Sequence, residues 1–292
     1  MLFPSLMLKN QWEQGLKNLT EAQFAGSNFH YIKHTFEYFL NSMDSLDVHL
    51  VEFYMACPHF SVFDATIKDV KLIKKAFDSH EIRLCCTTLE QCTYPINIAT
   101  EDDAIRERSI TELEKTIEFT AELGCPYTQV LGGRGSYDLP VEDAWKRSVE
   151  AFSILAEKGR QCGVTMVIEE ASWFTTNTVY TTPLTRKILD EVNSPFFKAM
   201  LDNCATETAK ENFIDCLNIL KDDMRHMHFA DGNPGGHFIP GEGNLPLSNF
   251  LCALDEYGYK GALTFELYNR KYELEPHIYM KKCFDYIKEM FR

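Results

Sequence analysis

Residues 225–231 read RHMHFAD, a strand-length apolar run that carries two histidines two positions apart and closes on an acid. Alternation along a strand puts His226 and His228 on one face, with His228 nearer the carboxyl end and His226 one layer deeper. For His226 a hydrogen-bonded core histidine is the ordinary reading. Neighbouring runs end in the same manner. VTMVIEE (164–170) ends in Glu169 and Glu170, KAMLDN (198–203) carries Asp202, and GALTFEL (261–267) carries Glu266. Each acid interrupts an apolar run, and a strand buried on both faces does not take a charge cheaply. Upstream, LTEAQFA (19–25), HLVEFYM (49–55), IRLCCTT (82–88) and YTQVLGG (127–133) supply four more candidate strands.

Helix-like stretches separate these runs. After Thr100, residues Ile110, Leu113, Ile117 and Ala121 recur at helical spacing, with Thr100 and Asp103 as a candidate cap and Gly124 as the terminator. In the last stretch Met280, Phe284, Ile287 and Phe291 share one face. Eight strand–helix units within 292 residues predict a (β/α)8 barrel, with 1–292 as a single domain. A doubly wound open sheet is the rival. It lacks a glycine-rich phosphate turn after an early strand, and GGRG (132–135) only echoes one.

In a parallel barrel the carboxyl ends of the strands meet at one mouth, where such folds place their chemistry. A lone strand-end glutamate is ordinarily solvated, but four consecutive strands ending in ionisable groups form a different pattern. Converging carboxylates repel one another and raise each other's pKa values, a cost that a divalent cation removes. Oxygen-rich donors with one imidazole suit Mn²⁺, Mg²⁺ or Co²⁺, with Zn²⁺ also admissible. Adjacent strand residues face opposite ways, so only one of Glu169 and Glu170 can point into the barrel.

The composition, 45% hydrophobic and 25% charged, is that of a globular protein. No apolar run reaches the ~18 residues of a membrane span. MLFPSLMLKNQWEQG has neither a basic n-region nor a small-residue cleavage site, so no signal peptide is expected. The ten cysteines are scattered without a CxxC pair and read as reduced thiols of a cytoplasmic protein. A net charge of −14 opposes binding to nucleic acid.

The order and spacing of GVTMVIE, MLD, RHMHFAD, PGEG and GYKGALTFEL resemble the sugar isomerase/epimerase branch of the xylose-isomerase-like TIM barrels, from residue 19 onward. Within that branch YPINIATEDDAIRERS, RHMHFADGNPGGHFIPGEGNLPL and the PH of MACPHF are most similar to the fructoselysine 3-epimerase group. The resemblance implies metal ligands at Glu169, Asp202, His228 and Glu266, with Glu169 and Glu266 as the acid/base pair. It implies C3 epimerisation of a ketose or ketosamine, fructoselysine for instance, through a cis-enediolate. His237, on the glycine-rich loop, is a candidate for a substrate hydroxyl, with a solvent-exposed loop residue as the alternative. His59 is a second candidate contact. Tyr268 is a third, either stacked on the sugar or packed at the rim. Glu242 reads as structural.

The chain departs from the D-tagatose 3-epimerase group at Thr175, where that group has glutamate, and at Ala205, where it has histidine. The fructoselysine group shares the alanine but keeps the glutamate. The MACPHFSV loop also departs from that group's glycine- and arginine-containing version, so the pocket beyond the reacting carbon is expected to differ. The expected partner is a small sugar, with no nucleic acid or membrane and with homo-oligomerisation left open. An inosose-type dehydratase and an aldose–ketose isomerase are the near alternatives on the same metal site. The remote ones are an endonuclease IV-like nuclease, for which His30, His34 and His59 are poor extra ligands, and a non-catalytic sugar-binding module.

Overall fold

The apolar runs become strands that pair in chain order: β1 Phe24–Ser27, β2 Leu50–Met55, β3 Arg83–Leu89, β4 Tyr127–Leu131, β5 Thr165–Glu169, β6 Phe197–Asp202, β7 Met224–His228 and β8 Ala262–Thr264. The computed structural model describes residues 15–292, so the signal-peptide reading of the first residues falls almost wholly outside it. All eight pairings are parallel, and β8 returns to β1 through Phe24↔Leu263 and Ala25↔Thr264. Helices lie between successive strands. The sheet is therefore a closed (β/α)8 barrel and not the open rival. Among the described residues no helix is long and apolar enough to cross a membrane.

Local chemistry moves several boundaries. Leu19–Gln23 do not join β1. The amides of Lys17, Asn18 and Leu19 donate to Asp255 Oδ1 (2.8, 2.5 and 2.8 Å), and Glu21–Gln23 form a 3₁₀ turn in which Gln23 Oε1 accepts from Thr20 N (3.0 Å). Those donors are thus unavailable to a ladder. The cap of the helix Asp103–Glu122 is Asp102, whose Oδ1 accepts from Ile105 N (3.0 Å). Thr100, the residue expected there, instead accepts from Asp102 N (3.3 Å) and so supports the capping residue. Gly124 (φ +73°) takes the left-handed turn just beyond the helix, as a terminator should. β8 stops at Thr264, which leaves Glu266 just past the end of the ladder.

The last helix, Pro276–Met290, buries Met280 and Ile287 completely. Phe284 meets Phe265 edge-on (5.2 Å between ring centres), and Phe291, just past the helix, meets Phe24 (6.1 Å). The helix thereby covers the β8–β1 seam, and each fully buried side chain of this size contributes about 1.5–3 kcal/mol. Inside the barrel Val167 and Met200 pack with Ala25, Leu50, Cys85 and Cys86. They precede Glu169 and Asp202 by two residues, so they form the layer directly beneath the acids. All ten cysteines are free thiols. Seven are buried, while Cys57 and Cys92 are exposed.

Candidate metal and catalytic site

Strand register brings the acids together. Asp202 of β6 stands beside His228 of β7, and Glu169 of β5 stands beside Met200 of β6. One oxygen or nitrogen from each of Glu169, Asp202, His228 and Glu266 lies within 4.8 Å of the others. His228 Nδ1 is 2.9 Å from Glu169 Oε1 and 3.3 Å from Glu266 Oε2. Glu170, on the opposite face of β5, is fully buried outside the cluster, and one of its oxygens accepts from Thr206 Oγ1 (3.2 Å). Burial raises the Glu170 carboxyl well above the usual range.

His237 reaches the same cluster from the glycine-rich loop. Its Nε2 lies 2.5 Å from Asp202 Oδ2 and 3.2 Å from Glu266 Oε2. Asp231 builds that loop. Its Oδ1 accepts from the amides of Gly232 (2.8 Å) and Leu245 (3.0 Å), and its Oδ2 from those of Gly241 (2.9 Å) and Gly243 (3.0 Å). A side chain at Gly243 would meet Asp231 Oδ1 at 2.3 Å, so the close approach requires glycine. Glu242 faces away from the cluster and accepts from Tyr272 Oη (2.8 Å) and Lys271 Nζ (2.5 Å), a structural role.

Glu52 is the functional group that the strand-end pattern did not reveal. It lies in mid-β2 and is 3% exposed. Its Oε2 is 2.6 Å from His226 Nε2, its Oε1 is 3.1 Å from His228 Nε2, and Thr88 Oγ1 donates to Oε1 (2.5 Å). A carboxylate on Nε2 of His228 fixes the ring with Nδ1 toward the acids, the arrangement by which outer groups orient metal-binding histidines. Gln129 of β4 was also missed; its Nε2 donates to Glu169 Oε2 (2.5 Å). The signal for both was a polar residue inside an apolar run, LVEFYM and YTQVL.

The electrostatics follow from burial opposed by charge. Burial lifts the Glu169 carboxyl above its usual range, with Glu266 and Asp202 adding to the rise and His228 opposing it. Burial would lift Glu266 too, but His228 and His237 hold it below. Both histidines are held above the usual imidazole range: burial lowers each, and the surrounding carboxylates outweigh it. The positive charge balancing the acids thus comes from two imidazoles, about the charge that one divalent cation brings. Three carboxylates and an imidazole whose other nitrogen is already anchored fit such an ion.

Among the described residues two further sets could share a cation, Asp202–Cys204–His237 and Glu52–Cys86–His226. Each needs a thiolate, and burial pushes Cys204 up to about 12 and Cys86 well above its usual range, so both fit less well. None of the three sets contains His30, His34 or His59. Both nitrogens of His59 bond within the protein, Nδ1 to Asn28 Nδ2 and Nε2 to the His34 carbonyl (2.9 Å each). Tyr268 is 67% exposed at the mouth, its ring 6.1 Å from Phe29, and its amide donates to the His237 carbonyl (3.0 Å). A cavity of about 710 Å³ opens at the other end of the barrel around Gln23, Arg83 and Lys260 and contains none of the four clustered residues.

A family model described as the xylose isomerase-like TIM barrel matches residues 43–290. Over 237 residues the chain is 27% identical to fructoselysine 3-epimerase of Shigella flexneri, covering 80% of this chain and 86% of that one. Two solved structures share the fold. One is an L-ribulose 3-epimerase (TM-score 0.78, 19% identity, 91% of this chain and 94% of that one). The other is D-psicose 3-epimerase with D-tagatose from Clostridium cellulolyticum H10 (TM-score 0.76, 15% identity, 92% and 99%).

Proposed function

The chain belongs to the xylose isomerase-like TIM barrels, and from that premise we propose that it is a divalent-metal-dependent sugar epimerase acting at C3 of a ketose or a ketosamine such as fructoselysine. The 3-epimerase names of its relatives support the reading. The observation that carries it is the presence of two glutamates, Glu169 buried and Glu266 half-buried, on one cation-competent cluster. Glu169 at the end of β5 and Glu266 just past β8 flank Asp202 and His228, which come from the two strands between them. A substrate lying over Asp202 and His228 has one glutamate on either side, the layout that inversion of a carbon centre needs.

Glu169, Asp202, His228 and Glu266 would hold the metal. Bound there, Mn²⁺, Co²⁺, Mg²⁺ or Zn²⁺ supplies electrostatic stabilisation for the charge that develops on the substrate oxygens. The glutamates move the protons. One carboxylate takes the C3 proton, and the electron pair of that C–H bond delocalises into the C2 carbonyl to give a cis-enediolate. The other, as a carboxylic acid, returns a proton to the opposite face while the C2 carbonyl reforms. Gln129 and His228 fix the orientation of Glu169, and His228 and His237 that of Glu266. His237 and Tyr268 stand at the mouth as candidate substrate contacts. For His59 such a role requires it to leave its bonds to Asn28 and His34. The ten free thiols fit a reducing cytoplasm, and we read the chain as one domain whose partner is a small sugar.

The test is a panel of ketoses and ketosamines in D₂O with metal-stripped protein, before and after adding Mn²⁺. Inverted product with deuterium at C3, only after metal addition, is expected. Full turnover without metal would overturn the reading. An aldose product would assign the site to aldose–ketose isomerisation, and a product that has lost water to dehydration.

A further inference from the structure

A pocket of about 390 Å³ opens beside the carboxylate cluster, walled by the segments that follow β3, β4 and β5. Gln91 joins the two. Its Nε2 donates to Gln129 Oε1 (3.1 Å), and Gln129 donates in turn to Glu169. The pocket is therefore one step to the side of the proposed reacting carbon. No carboxylate lines it, in a chain with 43 acidic residues, and its polar lining includes Asn97, Thr100, Thr175, Thr176 and Arg134.

Arg134 is held by its backbone and left free at its head. Its amide donates to Asn97 Oδ1 (2.9 Å), and Asn97 Nδ2 donates to its carbonyl (2.7 Å). Gly133 (φ +75°) sits so close to Ala99 that a side chain there would approach the Ala99 methyl to 2.8 Å. Among the described residues the Arg134 guanidinium, exposed at the pocket wall, makes no ion pair and no side-chain hydrogen bond. An unpaired guanidinium carried on a tightly held backbone beside an acid-free pocket offers a planar fork of donors to an incoming anion.

We propose that this pocket receives an anionic group, a phosphate monoester or a carboxylate, carried on the end of the sugar remote from C3. Arg134 pairs with it, and the enzyme thereby prefers anionic ketoses to their neutral counterparts. The proposal rests on the epimerase reading for the identity of the ligand. The volume exceeds what the anion alone fills and admits the sugar carbons that lead to it. The hydroxyls of Thr100 and Thr175 add donors along the wall.

The test uses two matched pairs: a ketohexose with and without a 6-phosphate, and a ketosamine whose amine comes from an amino acid or from the corresponding decarboxylated amine. Binding is read by calorimetry and turnover by isotope exchange, in the metal-loaded wild type and in Arg134→Met. Wild type should favour one anionic member by about ten- to hundredfold in Kd or KM, the scale of a charge-assisted hydrogen bond. The pair that shows the preference identifies phosphate or carboxylate. Arg134→Met should abolish the preference with little change in kcat on the neutral sugar, and Arg134→Lys should restore part of it. Thr175→Glu, which places an acid in the same wall, should reverse it. Equal affinity for both members of each pair in wild type, or a preference that survives in Arg134→Met, overturns the proposal. Anion-selective binding without turnover would uphold it while removing the epimerase reading. Turnover without selectivity would do the reverse.

Discussion

The two halves of the barrel carry their chemistry at different depths. In β5 to β8 the clustered groups stand at or just past the strand ends, where Glu169, Asp202, His228 and Glu266 converge, with His226 one layer deeper. In β1 to β4 the polar groups lie within the strands or in the loops after them: Glu52 in mid-β2, Gln129 in mid-β4 and Arg134 beyond β4. On the proposed reading the second half presents donors to a cation and a substrate. The first half aims those donors and shapes the space beside them. A group that acts directly and one that acts through it should therefore fail in different ways when replaced.

The largest effects belong to the second half. Glu169→Gln and Glu266→Gln keep side-chain size and one oxygen but lose basicity. Turnover should fall by about 10² or more in each, the scale of general acid–base catalysis, while metal affinity falls less. The variant missing the first base should not wash deuterium into C3. Near-normal epimerisation by either variant would reduce that glutamate to a simple ligand. Asp202→Asn should next lose the thermal stabilisation that metal confers, about 2.7 kcal/mol at a hundredfold excess over Kd. Thermal melts with and without Mn²⁺ measure it, and an unchanged shift would remove Asp202 from the ligand set.

Glu52→Gln tests the first half directly. Its carboxylate reaches the clustered acids only through His228, so metal affinity should drop by about ten- to hundredfold, as for other outer-layer partners. A competition titration against a chelator reads the change. Nitrogen NMR of His228 in the metal-loaded protein should show whether the proton still resides on Nε2. Unchanged affinity would mean that Glu52 only fills the core.

The last test concerns His30, which lies outside the site, buried in the first half with neither ring nitrogen hydrogen-bonded to a side chain. Burial lowers its pKa from 6.5 to about 3, against a small rise from the Pro276 carbonyl. Its folded value is depressed, so between those limits the unfolded chain binds the extra proton. His30 costs nothing above 6.5, and stability falls as pH drops below it. The unfolding free energy of His30→Met, from urea titrations, should fall less steeply between about pH 6 and pH 4 than that of wild type, by up to about 1.4 kcal/mol per pH unit. Parallel slopes would show that His30 does not titrate between these limits.

The converging strand ends were legible for one reason: a charge in an apolar strand is costly enough to be conspicuous. The four marked strand ends follow from it, while the barrel follows from the strand–helix alternation and the choice of Glu169 over Glu170 from the family resemblance alone. Glu52 breaks an apolar run just as plainly, but only the strand ends were expected to matter, and the pairing of a mid-β2 residue with β7 is set by barrel closure. Thr100 was misplaced because two capping residues stand two positions apart and only the backbone decides between them. His59 drew notice as part of PH, yet its ring bonds point back into the protein, a tertiary fact with no local signature.

The buried cluster has a practical corollary for anyone preparing the protein. A set of three carboxylates and one imidazole ranks divalent ions largely by the Irving–Williams series, so Ni²⁺, Cu²⁺ and Zn²⁺ outcompete Mn²⁺ at equal concentration. On the metal-dependent reading, material eluted from a nickel resin will carry nickel into the assay. The ion recovered with such a sample then records the column and the growth medium, and the physiological metal has to be established by reconstitution after stripping.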